Sequence, residues 1–220
     1  MKIAVISDIH GNLIALNTVL EEIDNMKILC CGDLVGYNPW PNEVVEVVID
    51  NKIISVMGNH DFATITGNTE DFNSIATGAI EWTREKIKKS NIKFLESLPL
   101  NYKGENFLIV HGSPRDPLNE YVYLEHPYIG SFLEGIRQDI LILGHTHVPF
   151  VKKFSDKVIF NPGSVGQPRD GNPKASYAIL DTEKKEVEIK RVSYNIKEVA
   201  DKIIKENLPE ELAMRLFYGF

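Results

Sequence analysis

The sequence predicts an α/β fold, and three features of the chain support this prediction. Short apolar runs at residues 2–6, 27–31 and 53–57 are typical of buried parallel strands. Segments with helical spacing of apolar side chains separate these runs, as in βαβ units with right-handed crossovers. The length of 220 residues suits one folded unit, because single cores stop growing near about 250–300 residues. We therefore expect one domain over residues 1–220.

The helices of the first half are predicted from apolar spacing and from proline. Residues 13–23 repeat apolar side chains at helical intervals, and Pro41 opens a second stretch at the first-turn position that proline tolerates. Residues 71–89 show the same helical pattern, and a shorter helix is expected over residues 92–97. Helices that alternate with strands in this way favour a parallel sheet in the first part of the chain.

The second half of the chain is predicted to be rich in strands. Two apolar runs flank Gly104-Glu105 and predict a hairpin. The further strands are expected at residues 140–143, 148–152, 158–160, 177–180 and 187–192. We expect this half to be largely antiparallel. An amphipathic helix over residues 195–207 and a short helix from Pro209 complete the pattern.

Composition excludes several classes of protein. Hydrophobic residues make up 43% and charged residues 25% of the chain, which is typical of a globular protein. The net charge is −7 and no run of Lys and Arg exceeds two residues, so we expect no stable nucleic-acid binding. No apolar run approaches the roughly 18–20 residues of a membrane helix, and we expect no membrane partner. A small anionic substrate held by bound metal is compatible with this charge.

The two cysteines predict a reducing environment. Cys30 and Cys31 are adjacent in a predicted buried strand, and adjacent Cα atoms lie about 3.8 Å apart, closer than a relaxed disulfide needs. We interpret them as two small core side chains. The N-terminal apolar run is too short for a signal peptide. We therefore expect a cytoplasmic protein.

Five short polar segments follow predicted strands. They are Asp8-Ile9-His10-Gly11-Asn12, Gly32-Asp33, Gly58-Asn59-His60-Asp61, His111-Gly112 and Gly144-His145-Thr146-His147. These segments contain five of the six histidines. Open α/β sheets place their functional sites at the carboxyl ends of strands. We therefore expect the five segments to meet at one edge of the sheet.

The chemistry of these segments predicts a metal site. An Asp or Asn after a strand is usually a helix cap, and a lone His is usually structural. Two Asp, one Asn and five His buried together without metal, however, would be expensive to desolvate. Donors without thiolate suit Mn²⁺, Fe, Co²⁺, Ni²⁺ or Zn²⁺. The supply exceeds the needs of one four-coordinate ion, whereas two ions that share a carboxylate would use all of it.

Taken together, the five segments resemble the five-motif signature of the calcineurin-like metallophosphoesterase superfamily, in its small single-domain prokaryotic phosphodiesterase and phosphatase branch. The block at residues 161–169 is similar to a C-terminal block common in that branch. This resemblance implies a four-layer α-β-β-α sandwich, with two mixed β-sheets flanked by helices. It also implies two divalent transition-metal ions, with Mn²⁺ expected and Fe, Ni, Co or Zn as alternatives.

The resemblance assigns roles to individual residues. The implied ligands are Asp8, His10 and His147 for the first ion, Asp33 for both ions, and Asn59, His111 and His145 for the second. His60 is the implied catalytic residue beside the metals, as a general acid or as a stabiliser of the phosphoryl oxygens. Asp61, also a catalytic candidate, would orient His60 or brace the turn.

The implied activity is metal-dependent hydrolysis of small phosphodiesters or phosphomonoesters, by attack of a metal-bridging hydroxide. One alternative is a dinucleoside polyphosphate (Ap4A-type) hydrolase, and another is an inactive interaction scaffold with the same fold. A nuclease is disfavoured by the acidic charge balance. The block at residues 32–39 lacks the Asp and Arg of the protein Ser/Thr phosphatase motif Gly-Asp-x-x-Asp-Arg-Gly. This difference argues against a phosphoprotein substrate.

Three residues outside the ligand set are candidates for substrate binding. Arg169 and Arg115 each follow a proline in loops predicted near the metal edge, and a guanidinium can bind phosphate bidentately. Asn12 would contact the phosphoryl group or, as we favour, cap the following helix. The substrate itself is expected to be a small phosphate ester or a nucleotide.

Two further regions leave alternatives open. The aromatic stretch from Tyr121 to Phe132 would stack a nucleobase or pack in the core. His126, within that stretch, lies outside every motif and receives no role. The apolar C-terminal positions would pack on the core or across the interface of a homo-oligomer; they are Leu212, Leu216, Phe217 and Phe220.

Overall fold

The computed structural model describes residues 1–23 and 25–220. Its strands are β1 (Lys2–Ile6), β2 (Lys27–Cys30), β3 (Ile54–Ser55), β4 (Asn101–Lys103), β5 (Phe107–Val110), β6 (Ile140–Ile142), β7 (Phe150–Phe154), β8 (Lys157–Asn161), β9 (Ala175–Asp181) and β10 (Glu186–Val192). Its α-helices are α1 (Leu13–Glu22), α2 (Pro41–Asp50), α3 (Asn59–Thr66), α4 (Ser74–Lys86), α5 (Lys89–Glu96), α6 (Ile196–Lys205) and α7 (Glu210–Tyr218). A short 3₁₀ helix spans Ile129–Leu133.

The described strands form two mixed sheets of five strands each. In the first sheet the order is β10-β9-β1-β2-β3, with β1, β2 and β3 parallel and β9 antiparallel to both neighbours. In the second sheet the order is β4-β5-β6-β8-β7, with β5, β6 and β8 parallel and the two edge strands antiparallel. The two mixed sheets predicted above are confirmed.

The expectation that the second half is largely antiparallel is wrong for β5, β6 and β8. These three central strands run parallel, and parallel neighbours need a crossover connection. The crossover from β5 to β6 runs through residues 111–139, where the structure has a 3₁₀ helix and irregular segments. Because no helical periodicity marks this connection, the sequence pattern did not indicate a crossover there.

The layers follow from the alternation of side chains along the strands. On β1, Ile3 and Val5 face the second sheet and pack with Ile109 and Ile142 in an apolar core between the sheets. Their neighbours on β1 face the other way and pack on residues of α1 and α2. The outer face of the second sheet is covered by the segment that contains the 3₁₀ helix, with Phe132 fully buried. The four-layer prediction is confirmed, with this segment as the fourth layer.

Helix α3 was not predicted from the sequence. Its first turn contains Asn59, His60 and Asp61, which the motif pattern had placed after a strand without naming a helix. The helix begins after Gly58 and ends at Thr66, where Gly67 caps it with a φ of 81°. The helix predicted over residues 71–89 is shorter in the structure, because Asn73 caps it by accepting from the Ala76 N–H and α4 then ends at Lys86.

Both cysteines are free and buried. Cys30 packs on the helical side of the first sheet and Cys31 packs between the sheets, as expected for small core side chains. Burial raises the pKa of the Cys30 thiol to about 12, so it is uncharged at neutral pH. Within residues 1–23 and 25–220, no helix combines the length and the apolar character that crossing a bilayer requires.

Candidate active site

The five polar segments meet where the two sheets come together. Asp8, Asp33 and Asn59 follow β1, β2 and β3 of the first sheet. His111 follows β5 of the second sheet, and the segment from His145 follows β6. All of these side chains are buried except Asn59, which is half-buried. The five segments therefore meet, but they come from the strand ends of two sheets, whereas the sequence analysis expected one edge of a single sheet.

The first donor group consists of Asp8, His10, Asp33 and His147. One donor atom from each side chain lies within 4.8 Å of the other three. The Nε2 atoms of His10 and His147 face each other at 3.0 Å, and His147 Nε2 is 3.3 Å from Asp8 Oδ1. Two imidazole nitrogens and two carboxylates at these distances fit a divalent cation.

The outer nitrogens of these two histidines hold the rings in place. His10 Nδ1 is 3.2 Å from the Val35 carbonyl, and His147 Nδ1 is 2.5 Å from the Gln167 carbonyl. A carbonyl oxygen only accepts, so each Nδ1 carries the proton and each Nε2 presents a lone pair. These contacts therefore prepare both rings to bind metal through Nε2.

The second donor group consists of Asp33, His111 and His145, with Asn59 beside it. His111 Nε2 lies 3.1 Å from His145 Nδ1, 3.0 Å from Asn59 Oδ1 and 3.4 Å from Asp33 Oδ2. The outer nitrogens are again on carbonyls: His111 Nδ1 is 2.8 Å from Cys31 O, and His145 Nε2 is 3.2 Å from Asn119 O. His111 thus presents Nε2 and His145 presents Nδ1 to a common point.

Asp33 joins the two groups. Its Oδ2 lies 3.6 Å from His10 Nε2 of the first group and 3.4 Å from His111 Nε2 of the second. Its Oδ1 accepts from the backbone N–H of His60 at 2.8 Å. Among the described residues, Asp33 alone belongs to both groups. This position between the groups is compatible with a carboxylate shared by two ions.

The histidines of the two donor groups differ in protonation. Burial lowers the pKa of His145 to about 3 and takes the pKa of His10 well below its ordinary value, so both rings are neutral at pH 7. Burial alone would raise the pKa of Asp33, but the imidazoles of His111 and His60 hold it well below its ordinary value. Burial would lower the pKa of His111, whereas Asp33 raises it to about 9. Metal at the second group would thus displace a proton from His111.

The backbone at the site is in an uncommon conformation. Ten described residues other than glycine have a positive φ, and five of them are implied ligands: Asp8 (52°), His10 (49°), Asp33 (55°), His145 (67°) and His147 (59°). Left-handed conformations are uncommon outside glycine, although Asn, Asp and His adopt them more readily than other residues. Such conformations cluster at functional sites. The sequence pattern gave no signal for them.

His60 lies at the first turn of α3 between the donor groups and a cleft. Its ring contacts His10, Tyr37 and Phe72, with centroids 4.5–4.9 Å apart. Burial lowers the pKa of His60 to about 4. Its Nδ1 is buried and lacks a hydrogen-bond partner within the described part of the chain. An added Cβ at Gly36 would come within 2.6 Å of this atom, so glycine there leaves room for the ring.

Asp61 braces the turn at the start of α3. Its Oδ1 accepts from the backbone N–H groups of Leu34 and Val35 at 2.9 and 3.2 Å, and its Oδ2 accepts from that of Gly58 at 3.0 Å. Burial and the nearby Asp33 carboxylate raise the pKa of Asp61 to about 7, although the backbone donors favour its ionised form. The hydrogen bonds of Asp61 thus match the second of its two expected roles, support of the turn.

A cleft of about 730 Å³ opens above both donor groups. The two groups contribute Asp33, His145 and His147 to its lining. Further lining residues that the ligand pattern did not include are Tyr37, Asp71, Phe72, Asn73, Ala76, Asp116, Asn119, Tyr121, Arg215 and Phe220. Arg169, a predicted substrate contact, lines the cleft and donates to the Tyr37 hydroxyl at 3.2 Å. A neutral histidine, a fixed arginine and two donor groups therefore face one space.

Comparison with known proteins identifies the family. Residues 1–185 match the family model of the calcineurin-like phosphoesterase superfamily domain. The chain belongs to this superfamily. Membership makes the protein a metal-dependent phosphoesterase, a hydrolase of phosphoric esters.

Similar proteins cover nearly the whole chain. An uncharacterised protein of Methanocaldococcus jannaschii is 46% identical over 99% of this chain and 98% of its own length. The phosphodiesterase YfcE of Escherichia coli K12 is 28% identical over 83% of this chain and 89% of its own. The crystal structure of a metallophosphoesterase from Sphaerobacter thermophilus superposes with a TM-score of 0.90, at 37% identity, over 100% of this chain and 99% of that one.

Other predicted contacts of the phosphoesterase lie away from the cleft. Asn12 is fully buried; its Oδ1 accepts from the Ala15 N–H and its Nδ2 donates to the Gly166 carbonyl, so the amide caps α1. The Arg115 guanidinium lies 4.5 Å from the Phe132 ring centroid and donates to Ser131. Neither Asn12 nor Arg115 is among the residues that line the cleft.

The aromatic stretch of the phosphoesterase divides between core and cleft. Phe132 is buried on the second sheet, while Tyr121 is half-exposed, lines the cleft and lies 3.9 Å from the His145 ring. His126 packs edge-on against Phe132. The C-terminal positions divide in the same way, with Leu212 and Leu216 in the core and Phe217 and Phe220 exposed.

Proposed function

We propose that this protein is a dinuclear-metal phosphoesterase that hydrolyses small phosphodiesters or phosphomonoesters. The observation that carries the proposal is the pair of buried donor groups joined by Asp33. The first ion would be held by Asp8, His10, Asp33 and His147, and the second by Asp33, Asn59, His111 and His145. Oxygen and imidazole donors without thiolate favour Mn²⁺, with Fe, Ni, Co or Zn as alternatives.

The chain's own residues would orient the substrate and support the reaction. When bound, the two ions would supply a hydroxide for in-line attack and neutralise the phosphoryl oxygens. His60 is neutral at pH 7, since its pKa is about 4. We therefore favour donation of its ring N–H to a phosphoryl or leaving oxygen over proton release from an imidazolium. Arg169, fixed by Tyr37, would bind a second phosphoryl oxygen.

A small substrate is consistent with the size of the cleft. Ligand sites of about 300–1,000 Å³ typically enclose small organic molecules, and this cleft is about 730 Å³. The E. coli relative named phosphodiesterase supports a diester as the first substrate to test. We further propose that the chain works as one domain in the cytoplasm; its two buried free cysteines support the reducing environment.

The test compares hydrolysis of bis-p-nitrophenyl phosphate and p-nitrophenyl phosphate, with Mn²⁺ and with EDTA. We expect turnover with Mn²⁺ and none with EDTA, and the ratio of the two rates ranks diesters against monoesters. Asp33→Asn is the matched control, because it keeps the size of the side chain and removes the shared charge. Hydrolysis that persists in EDTA would contradict the proposal.

A nucleotide substrate is the second candidate. Tyr121 and Phe220 are exposed aromatic side chains in the cleft wall, and such rings can stack on a base. Product analysis with diadenosine tetraphosphate tests this candidate, since symmetrical cleavage gives ADP and asymmetrical cleavage gives AMP and ATP. A protein that binds no metal and hydrolyses none of these esters would instead support the scaffold alternative.

A further inference from the structure

Helix α7 lies beyond the family match, which ends at residue 185. Its buried face, formed by Leu212, Ala213 and Leu216, packs in the same apolar cluster as Tyr37 from the cleft wall. The end of α7 is fixed by a hydrogen bond from the Gly171 N–H to the Gly219 carbonyl at 2.9 Å. The helix is therefore held against the segment that follows Arg169.

Arg215 projects from the last turn of this helix and lines the cleft. It is half-buried, and no carboxylate of the described chain lies within ion-pair distance of it. Asp71 and Asp116 line the same cleft, yet neither pairs with Arg215 or Arg169 in the part of the chain that is described. The helix dipole stabilises a cation at a helix C-terminus, but this does not explain why the Arg215 side chain lines the cleft.

The two arginines lie on the Tyr37 side of the cleft. Arg169 donates to the Tyr37 hydroxyl, and both guanidinium groups oppose the rise in the Tyr37 pKa that burial causes. The guanidinium carbon of Arg169 also lies 5.8 Å from the centroid of the Tyr37 ring. Arg215 also lines a second hollow, together with Met214, Glu210 and Glu211, and neither glutamate forms an ion pair with it in the described part of the chain. Both guanidinium groups therefore line the same cleft, Arg169 beside Tyr37 and Arg215 on α7.

We propose that Arg215 binds a second anionic group of the substrate, outside the phosphoryl group that is cleaved. The inference rests on the proposed function and deepens it: the preferred substrates are phosphate esters whose organic part carries another phosphate or carboxylate. A guanidinium without an ionic partner can bind such a group by paired, charge-assisted hydrogen bonds. The cleft is large enough to hold more than a single phosphoryl group.

The test uses two probes that differ only in the second anion: the p-nitrophenyl ester of thymidine 5′-phosphate, and the same ester with a 3′-phosphate. With Mn²⁺, we expect wild type to prefer the 3′-phosphorylated probe in kcat/KM, and Arg215→Ala to reduce that preference about tenfold, as loss of a partly exposed charge-assisted bond implies. Arg215→Lys should keep part of the preference. Arg137→Ala removes an exposed arginine that does not line the cleft and should leave the preference unchanged.

Calorimetry of both probes with the EDTA-treated proteins separates this inference from the proposed function, since no metal-dependent turnover is needed. If Mn²⁺ supports hydrolysis of neither these probes nor bis-p-nitrophenyl phosphate nor p-nitrophenyl phosphate, the proposed function fails. Tighter binding of the 3′-phosphorylated probe that Arg215→Ala abolishes would still support the anion site. Equal binding of the two probes by wild type, or a preference that survives in a folded Arg215→Ala variant, would overturn it. Thermal melting of each variant verifies folding.

Discussion

At the scale of single residues, the imidazole of His60 is surrounded by other rings and contacts both the donor groups and the cleft. We expect His60→Ala to bind the full complement of metal but to lose about 100-fold in kcat, a typical effect for a group that assists proton transfer or stabilises the transition state. Metal analysis and steady-state kinetics measure the two properties separately.

His126→Ala is the matched control for this substitution. His126 is the sixth histidine; it packs on Phe132 and does not line the cleft. Its replacement should leave kcat within about twofold of wild type, because the side chain touches neither the cleft nor the donor groups. An unchanged kcat in a metal-loaded His60→Ala protein would refute the role proposed for His60.

The buried histidines predict how the metal-free protein responds to acid. The pKa values of His60 and His145 are lowered to about 4 and about 3 by burial, whereas unfolded histidine titrates near 6.5. Between about pH 6.5 and pH 4 the unfolded chain therefore binds protons that the folded chain does not, and stability falls by about 1.4 kcal/mol per pH unit for each such ring. His111, with its pKa raised to about 9, acts oppositely and weakens the protein as pH rises from about 6.5 to 9.

Urea denaturation of EDTA-treated protein from pH 4.5 to 9 measures this dependence. We expect the greatest stability near pH 6.5 and a fall on both sides. On the acidic side the raised pKa of Asp61, about 7, offsets the effect of one ring, and the lowered pKa of His10 adds to the fall. A free energy of unfolding that stays constant between pH 6.5 and pH 4.5 would show that these rings take up protons without unfolding.

The sequence revealed the metal-donor residues more fully than the residues that hold those donors in place. The spacing of the five segments is enough to place Asp33 beside His10, because the ends of neighbouring parallel strands share one edge. The spacing cannot show which nitrogen each ring presents, since this depends on carbonyls of residues such as Val35 and Asn119 that carry no motif. Arg215 could not be found either, because its place in the cleft depends on how a distant helix packs.

At the scale of elements, the start of α3 fixes the position of Asp33. Gly58 precedes the helix, and an added Cβ there would overlap Asp33 Oδ1. We expect Gly58→Ala to displace the carboxylate and to reduce both metal stoichiometry and activity at least tenfold, because a small misplacement at a reacting centre is costly. Metal analysis of the purified variant tests this expectation.

Gly78→Ala is the matched control for an added methyl group. Gly78 lies within α4, and the nearest atom to its added Cβ is Pro209 Cγ at 3.9 Å. The substitution should raise the free energy of unfolding by about 0.5–1 kcal/mol, since alanine favours helix over glycine, and should not change metal content. If both glycine variants kept their metal, the role assigned to Gly58 would be wrong.

The elements that the sequence revealed are those with a regular apolar pattern. The strands β1 and β2 and the helix α1 were placed to within a residue or two, because their buried faces repeat. Helix α3 has the polar site residues in its first turn and β-branched residues after them. Its local composition therefore does not predict a helix. Its start depends on Asp61 accepting backbone N–H groups from another loop, which is a tertiary contact.

At the scale of the whole molecule, each donor group draws residues from both sheets: His147 joins Asp8 in one, and His111 joins Asp33 in the other. Ions that bind only the folded state would therefore connect the sheets, and each adds about 3–4 kcal/mol when supplied at 100–1,000 times its dissociation constant. For a chain of this length, that gain corresponds to roughly 10 °C in Tm per ion.

Melting curves with EDTA and with excess Mn²⁺ measure this contribution. We expect wild type to melt at a clearly higher temperature with Mn²⁺, and Asp33→Asn to show little difference, because it weakens both groups at once. A Tm of the wild-type protein that does not respond to Mn²⁺ would contradict metal binding across the two sheets.

The left-handed backbone at Asp8 and Asp33 has a consequence for the sequences that this fold accepts. If both positions were randomised and the library were selected only for folded protein, Gly, Asn and Asp should be enriched, because they adopt a positive φ most readily. Val, Ile and Thr should be depleted, since branching at Cβ makes that conformation unfavourable. A descendant that no longer needs catalysis would thus still be restricted at these two positions. The backbone conformation would continue to favour a small set of residue types after the activity was lost.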